Sequence, residues 1–161
     1  MSSRPFVPQK LQQALIAGIG AALCISLIAM GGTMTPDYLG VMAPFGATMV
    51  ILFALPQSPL AQPKNIIGGH LLTAALGLVM AHYADITPYT LGLAVGLGVA
   101  IMMLTGTLHP PAGANPLLIM LTQAPWYFFI TPVLTGCLFI VAFGWFYHRF
   151  VSKSEYPKKQ G

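Results

Sequence analysis

The sequence predicts an all-α fold, a polytopic membrane helix bundle of two inverted three-segment repeats. Three observations lead there. The chain is 56% hydrophobic and 6% charged, with a mean hydropathy of +0.76, a balance that a soluble domain does not show. Its charges are pushed to the ends: Asp37 is the one charged residue between Leu11 and Pro63, and Asp85 the one between Asn65 and His148. Finally, a single ungapped shift of the chain along itself lays Pro44-Phe45-Gly46-Ala47-Thr48 on Pro111-Ala112-Gly113-Ala114-Asn115, and the same shift lays Gly69, Leu71, Ala75 and Gly77 on Gly136, Leu138, Ala142 and Gly144. An odd number of passages per copy turns the second copy upside down, as in many transporters.

The elements follow in order. Apolar runs at about Leu11–Gly32, Ile66–Tyr83, Tyr89–Thr107 and Trp126–His148 each approach the ~20 residues that cross a bilayer. The first is too long for a signal-peptide core and is expected to stay as a helix. Between them lie two shorter runs, Pro44–Leu55 and Pro111–Thr122, each reaching only about 18 Å of a ~30 Å hydrocarbon core. Pro36, Pro44, Pro56 and Pro59 punctuate the first, while His109-Pro110-Pro111 and Pro125 bracket the second, so both are expected as half-helices joined to unwound backbone. Such backbone is tolerated at membrane depth only inside protein or along a wet cavity. The expected organisation is one integral membrane domain over residues 1–161, with repeat one at about 11–83, repeat two at about 89–150 and tails at 1–10 and 151–161.

Arg4, Lys10, Lys64, Arg149, Lys153, Lys158 and Lys159 fall on one side if every segment crosses. The positive-inside rule makes that side the cytoplasm. Both termini are then cytoplasmic in a bacterial inner membrane, with Asp37 and Asp85 outside. Tyr38, Tyr83, Tyr89, Trp126 and Tyr127 are expected as outer aromatic anchors, and Trp145 and Tyr147 as inner ones. The net charge of +4 suits a lipid bilayer surface, not nucleic acid. Cys24 and Cys137 lie inside apolar runs and are read as packing residues, as are most of Gly18, Gly20, Gly92, Gly96, Gly98, Gly136 and Gly144.

The chemistry concentrates at the interrupted segments. Asn115-Pro116 is a helix-start pair, with Thr48 at the aligned position; the starts are either these or Pro44 and Pro111. In both cases small residues sit where free backbone N–H groups gather, and two N-termini approaching the midplane suit an anion. No carboxylate or fixed cation is expected at depth, which disfavours a cation route. The residues expected to meet the ion are Pro44, Gly46, Ala47 and Thr48 in the first copy and His109, Pro110, Pro111, Gly113, Ala114 and Asn115 in the second. His70 and Lys64 stand beside them. His109 either lines the pathway or ties down the unwound loop, and His70 either lines it or bonds within the core. Lys64 either gathers anions at the mouth or sets topology. His82 and His148 are placed at the interfaces with no function. There is no nucleophile with a base, no phosphate loop and no metal-ligand spacing, so neither enzyme nor cofactor is expected.

These residues also carry a resemblance. Thr107 to Pro116, Pro44 to Thr48 and the run Pro56 to His70, in that arrangement over residues 10–150, resemble the HPP family of integral membrane proteins. The resemblance implies transport of a small anion, nitrite above all, as in the family's members from cyanobacteria and chloroplasts. The function expected is therefore passage of a small monovalent anion at the two half-helix starts, in a homo-oligomer. A membrane scaffold or sensor that binds a partner through the unwound segments is the alternative.

Overall fold

The computed structural model describes residues 8–32 and 41–158; Arg4, Pro36, Asp37, Tyr38 and Lys159 lie outside the described residues. Within them all regular structure is helical: α1 (Gln9–Gly32), α2 (Ala43–Met49), α3 (Pro63–Tyr83), α4 (Pro88–Leu104), α5 (Asn115–Thr122) and α6 (Thr135–Tyr147), with shorter 3₁₀ and π turns between them.

Helix α1 shows how the bundle meets its surroundings. Its buried residues Gly20, Cys24, Ile28 and Gly32 recur every four positions, which lays one stripe along a helix. The opposite stripe, including Leu15, Ile19, Leu23 and Leu27, is roughly half exposed. A helix apolar on both its packed and its open face is matched to lipid, not to water. Among the described residues three stretches are long and apolar enough to cross a membrane: Gln9–Gly32, Pro63–Tyr83 and Trp126–Ser152.

The fourth expected span is shorter than its apolar run. α4 has 17 residues, about 25 Å of helix, because Gly106 adopts φ +63° and stops the helix shortly after Leu104. Its start is well defined, with the Thr87 and Thr90 side chains in a reciprocal capping box ahead of Pro88. The last span is also interrupted: a 3₁₀ turn at Trp126–Phe129 precedes a break at Thr131, where φ is −129°. Pro132 follows directly, and a residue before proline is pushed out of helical geometry.

Lys10, Ser152 and Ser154 line one cavity, and the Lys158 N–H donates to Gln62 beside the head of α3. One end of the bundle is therefore basic. α3 leaves that end and closes at the other, where His82 stacks on Trp126 with ring centroids 4.7 Å apart. The two short segments run in opposite senses. The first, Ala43–Ala54, heads toward the basic end, where His148 Nε2 donates to the Leu52 carbonyl at 2.9 Å. The second, from Pro110 through Thr122, heads away, since Asn115 contacts His70 and Thr73 while Gln123 reaches Ala81 further along α3.

Glycines set the closest approaches. A Cβ on Gly77 would meet Pro116 Cα at 2.9 Å and Ile119 Cβ at 3.3 Å, and one on Gly144 would meet Leu52 Cδ2 at 2.9 Å. Gly77 and Gly144 occupy equivalent positions in the two copies, as do Leu52 and Ile119. Each copy thus presses a glycine onto the short segment of the other. Gly20 and Gly136 are packed as tightly, against Phe53 and Phe45, whereas Gly18, Gly92 and Gly96 have open space and are not packing contacts within this chain. Cys24 and Cys137 are free thiols in the core. Tyr147 is no interfacial anchor: it is 3% exposed and its hydroxyl donates to the Ile16 carbonyl at 2.8 Å, tying α6 to α1.

Candidate functional site

The site is assembled from the inner faces of the two short segments and one turn of α3. Thr48, His70, Thr73, His109 and Asn115 are each 0% exposed and form one network. The Thr48 hydroxyl lies 3.0 Å from His70 Nε2 and 2.9 Å from His109 Nε2. Asn115 Nδ2 lies 3.0 Å from His70 Nδ1, 3.1 Å from the His70 carbonyl and 3.0 Å from Thr73 Oγ1. Thr48 and Asn115, at equivalent positions of the two copies, therefore hold opposite edges of the same imidazole. Phe45 closes a third side, edge-on to His70 at 5.2 Å between centroids.

Hydrogen-bond logic assigns the tautomers. The Leu60 carbonyl can only accept, so His109 Nδ1, 2.8 Å away, carries a hydrogen. The Nε2 of a neutral His109 then accepts from the Thr48 hydroxyl. With its hydrogen so used, Thr48 accepts from His70 Nε2–H, leaving His70 Nδ1 to accept from the Asn115 amide. The longer 3.2 Å contact from Thr48 to the Pro44 carbonyl is the competing use of that hydrogen. Thr73 donates to the Gly69 carbonyl at 2.7 Å, which frees its oxygen for Asn115. Both rings are neutral in this arrangement, and the two Asn115 amide hydrogens are shared among His70 Nδ1, the His70 carbonyl and Thr73 Oγ1, the kind of pairing a dry interior demands of polar groups.

Neither Thr48 nor Asn115 caps a helix. Thr48 lies inside α2, and Asn115 is already helical at φ −60°, ψ −46°. The segments begin instead at Ala43 and Pro110, preceded by Met42 and His109 in extended geometry. These starts have few spare donors: Pro44, Pro110 and Pro111 carry no N–H, the Phe45 N–H bonds the Met42 carbonyl and the Ala112 N–H bonds the His109 carbonyl. The donors gathered here are side chains, Thr48, His70 and Asn115.

The small residues face the other way. Ala43, Pro44, Ala47, Pro110, Pro111 and Ala114, with Val50 and Ile51, line an apolar groove of about 590 Å³. Ala43 pairs with Pro110, Pro44 with Pro111 and Ala47 with Ala114 under the shift that relates the two copies, so equivalent positions face each other. At Gly46 and Gly113 an added Cβ would meet nothing within 4 Å. Lys64 belongs to neither the network nor the groove; it is exposed at the basic end, its Nζ within 3.4 Å of where a Gly106 Cβ would lie.

Two participants carry no site reading in the sequence. Thr73, one turn after His70, was open to inspection by spacing alone. The Leu60 carbonyl was not, because a backbone contact between segments so far apart in the chain leaves no trace in residue type. Outside the network, His148 is buried at the basic end: it is 1% exposed, bonded to Leu52 through Nε2 and to Ser152 through Nδ1.

Lipid-matched helices and a buried polar network with no carboxylate or fixed cation define a multi-pass membrane protein. The family described as the HPP transmembrane region matches residues 7–157, and the chain belongs to that family. It is similar to two transmembrane proteins of Dictyostelium discoideum, 32% identical over 96% of this chain and 30% identical over 84%. The chain spans about half the length of these curated relatives, 58% and 46%. No solved structure matches it.

Proposed function

We propose that this protein passes a small monovalent anion across the membrane between the two half-helix starts, with nitrite the first candidate through the family resemblance. One observation carries the reading: the starts of both short segments, at equivalent positions, line a single groove, with the donor-bearing cluster of Thr48, His70 and Asn115 on their inner side. The opposite courses of the segments and the exchanged glycine contacts support an inverted-repeat relation, which places such a site at the repeat interface.

Magnitudes shape the mechanism. Desolvating an ion costs several kcal/mol even after relaxation, and a helix terminus returns only about 0.3–1 kcal/mol. Hydrogen bonds to a charged group contribute about 1.5–3 kcal/mol each. Thr48, His70 and Asn115 together offset much of the cost if the network opens toward the groove. Binding is then weak, as permeation requires. Lys64 acts at the mouth, and the basic end is cytoplasmic.

Nitrite uptake into proteoliposomes containing only this protein tests the reading. Ala47→Val and Ala114→Val place a branched side chain in the groove that both residues line, so flux is expected to vanish in variants that still fold; Gly46 and Gly113, where an added Cβ meets open space, lie outside that lining. Folded variants that transport at the parent rate overturn it. The saturated network favours a second reading, a non-transporting scaffold or sensor, and absence of any anion flux from the folded parent selects it.

A further inference from the structure

We infer that the cavity between α1 and the chain's C-terminal end, at the basic end of the bundle, binds the anionic headgroup of a membrane phospholipid. The cavity measures about 570 Å³ and its lining is graded. Lys10 and Gln13 come from the first turns of a 24-residue apolar helix, the level at which such a helix leaves the hydrocarbon. Ser152 and Ser154 follow the last helix on the same side. Ile16 and Phe53 form the deeper wall. The Tyr147 hydroxyl bond to the Ile16 carbonyl pins α1 to α6, so the walls hold their spacing.

The donors can be counted. The Leu52 carbonyl requires a hydrogen on His148 Nε2, so His148 Nδ1 accepts from the Ser152 hydroxyl at 2.8 Å. Ser152 is therefore spent, while the Lys10 ammonium, the Gln13 amide and the Ser154 hydroxyl remain to face a phosphate. Among the described residues no carboxylate lines the cavity; Glu155 lines a separate depression with Arg149. A cation among neutral donors, above an apolar floor, fits a phosphodiester whose acyl chains continue along Ile16 and Phe53. A free inorganic oxyanion shares the headgroup chemistry but leaves that floor uncovered. The cavity shares no lining residue with the groove at the half-helix starts, so this inference stands apart from the transport reading.

Native mass spectrometry of the full chain in detergent, titrated with phosphatidylglycerol or phosphatidylcholine, tests it. Phosphatidylglycerol is expected to be retained preferentially. Lys10→Gln is expected to weaken that retention about five-fold, the weight of one basic residue at a membrane surface, and Gln13→Ala with Ser154→Ala to weaken it further. Lys158→Gln, the same charge change outside the cavity, is expected to leave it intact. Equal losses in Lys10→Gln and Lys158→Gln overturn the site in favour of diffuse attraction, and no preference between the lipids overturns it outright. Displacement by millimolar inorganic phosphate with the same Lys10 dependence overturns the lipid assignment and leaves a free-oxyanion site.

Discussion

Thr48 is the residue on which the buried network turns, because its one hydroxyl serves two imidazoles. Thr48→Val keeps the shape of the side chain and removes both bonds, leaving His70 Nε2–H and His109 Nε2 unsatisfied in a dry interior. A loss of about 1–3 kcal/mol is expected, read as a lower thermal midpoint in detergent. Thr48→Ser, which restores the hydroxyl, is expected to recover most of it. His109→Ala is expected to lower the midpoint as well, since it releases the Leu60 carbonyl and with it the loop that leads into α3. Loss of flux in that variant is then to be judged only beside its stability. Of the two roles open to His109 in the sequence, the tie to the loop has a visible bond; the route past it belongs to the transport proposal.

At the scale of elements, the glycines divide into two groups that residue type does not distinguish. Gly77 and Gly144 sit where α3 and α6 touch the short segment of the opposite copy, and an added methyl would stand 2.9 Å from a heavy atom of that segment. Gly77→Ala faces backbone at Pro116 and is expected to cost about 1–3 kcal/mol of overpacking strain. Gly144→Ala faces the flexible end of Leu52 and is expected to cost less. Gly92→Ala and Gly96→Ala, on an open face of α4, are expected to be neutral or to raise the midpoint, because alanine is the better helix former by about 1 kcal/mol. Thermal unfolding of the four single variants in one detergent checks the order, and equal effects in both groups would refute the packing assignment. The periodicity of small residues was legible in the sequence; which of them meet a neighbour depended on where the neighbour lies.

For the whole molecule the leading expectation is topological. Lys10, Lys64, Arg149 and Lys158 belong to one end of the described bundle, while Asp85 and the exposed aromatics Tyr83, Tyr89 and Trp126 belong to the other. Fusions of alkaline phosphatase at Lys10 and at Ser152 are expected to be inactive in a bacterial host, and one at Asp85 active. Activity at Ser152 would reverse the orientation and move Lys64 from the cytoplasmic mouth to the outer one.

What this sequence determined by itself was everything that depends on solvent and on repetition. Apolar length and the exile of charge dictate helices in a bilayer, because unpaired backbone cannot face hydrocarbon. The internal echo marks the two interrupted segments, and the prolines at 44, 110 and 111 say that they are short. Only the tertiary structure decided which way their side chains point. A repeated motif of this length winds more than a full helical turn, so its members fall on different faces: Thr48 and Asn115 turn inward to His70, while Ala47 and Ala114 turn outward to the groove. Adjacent in sequence, they belong to two different surfaces, because neighbours in sequence share a position along a helix axis but not a side of it.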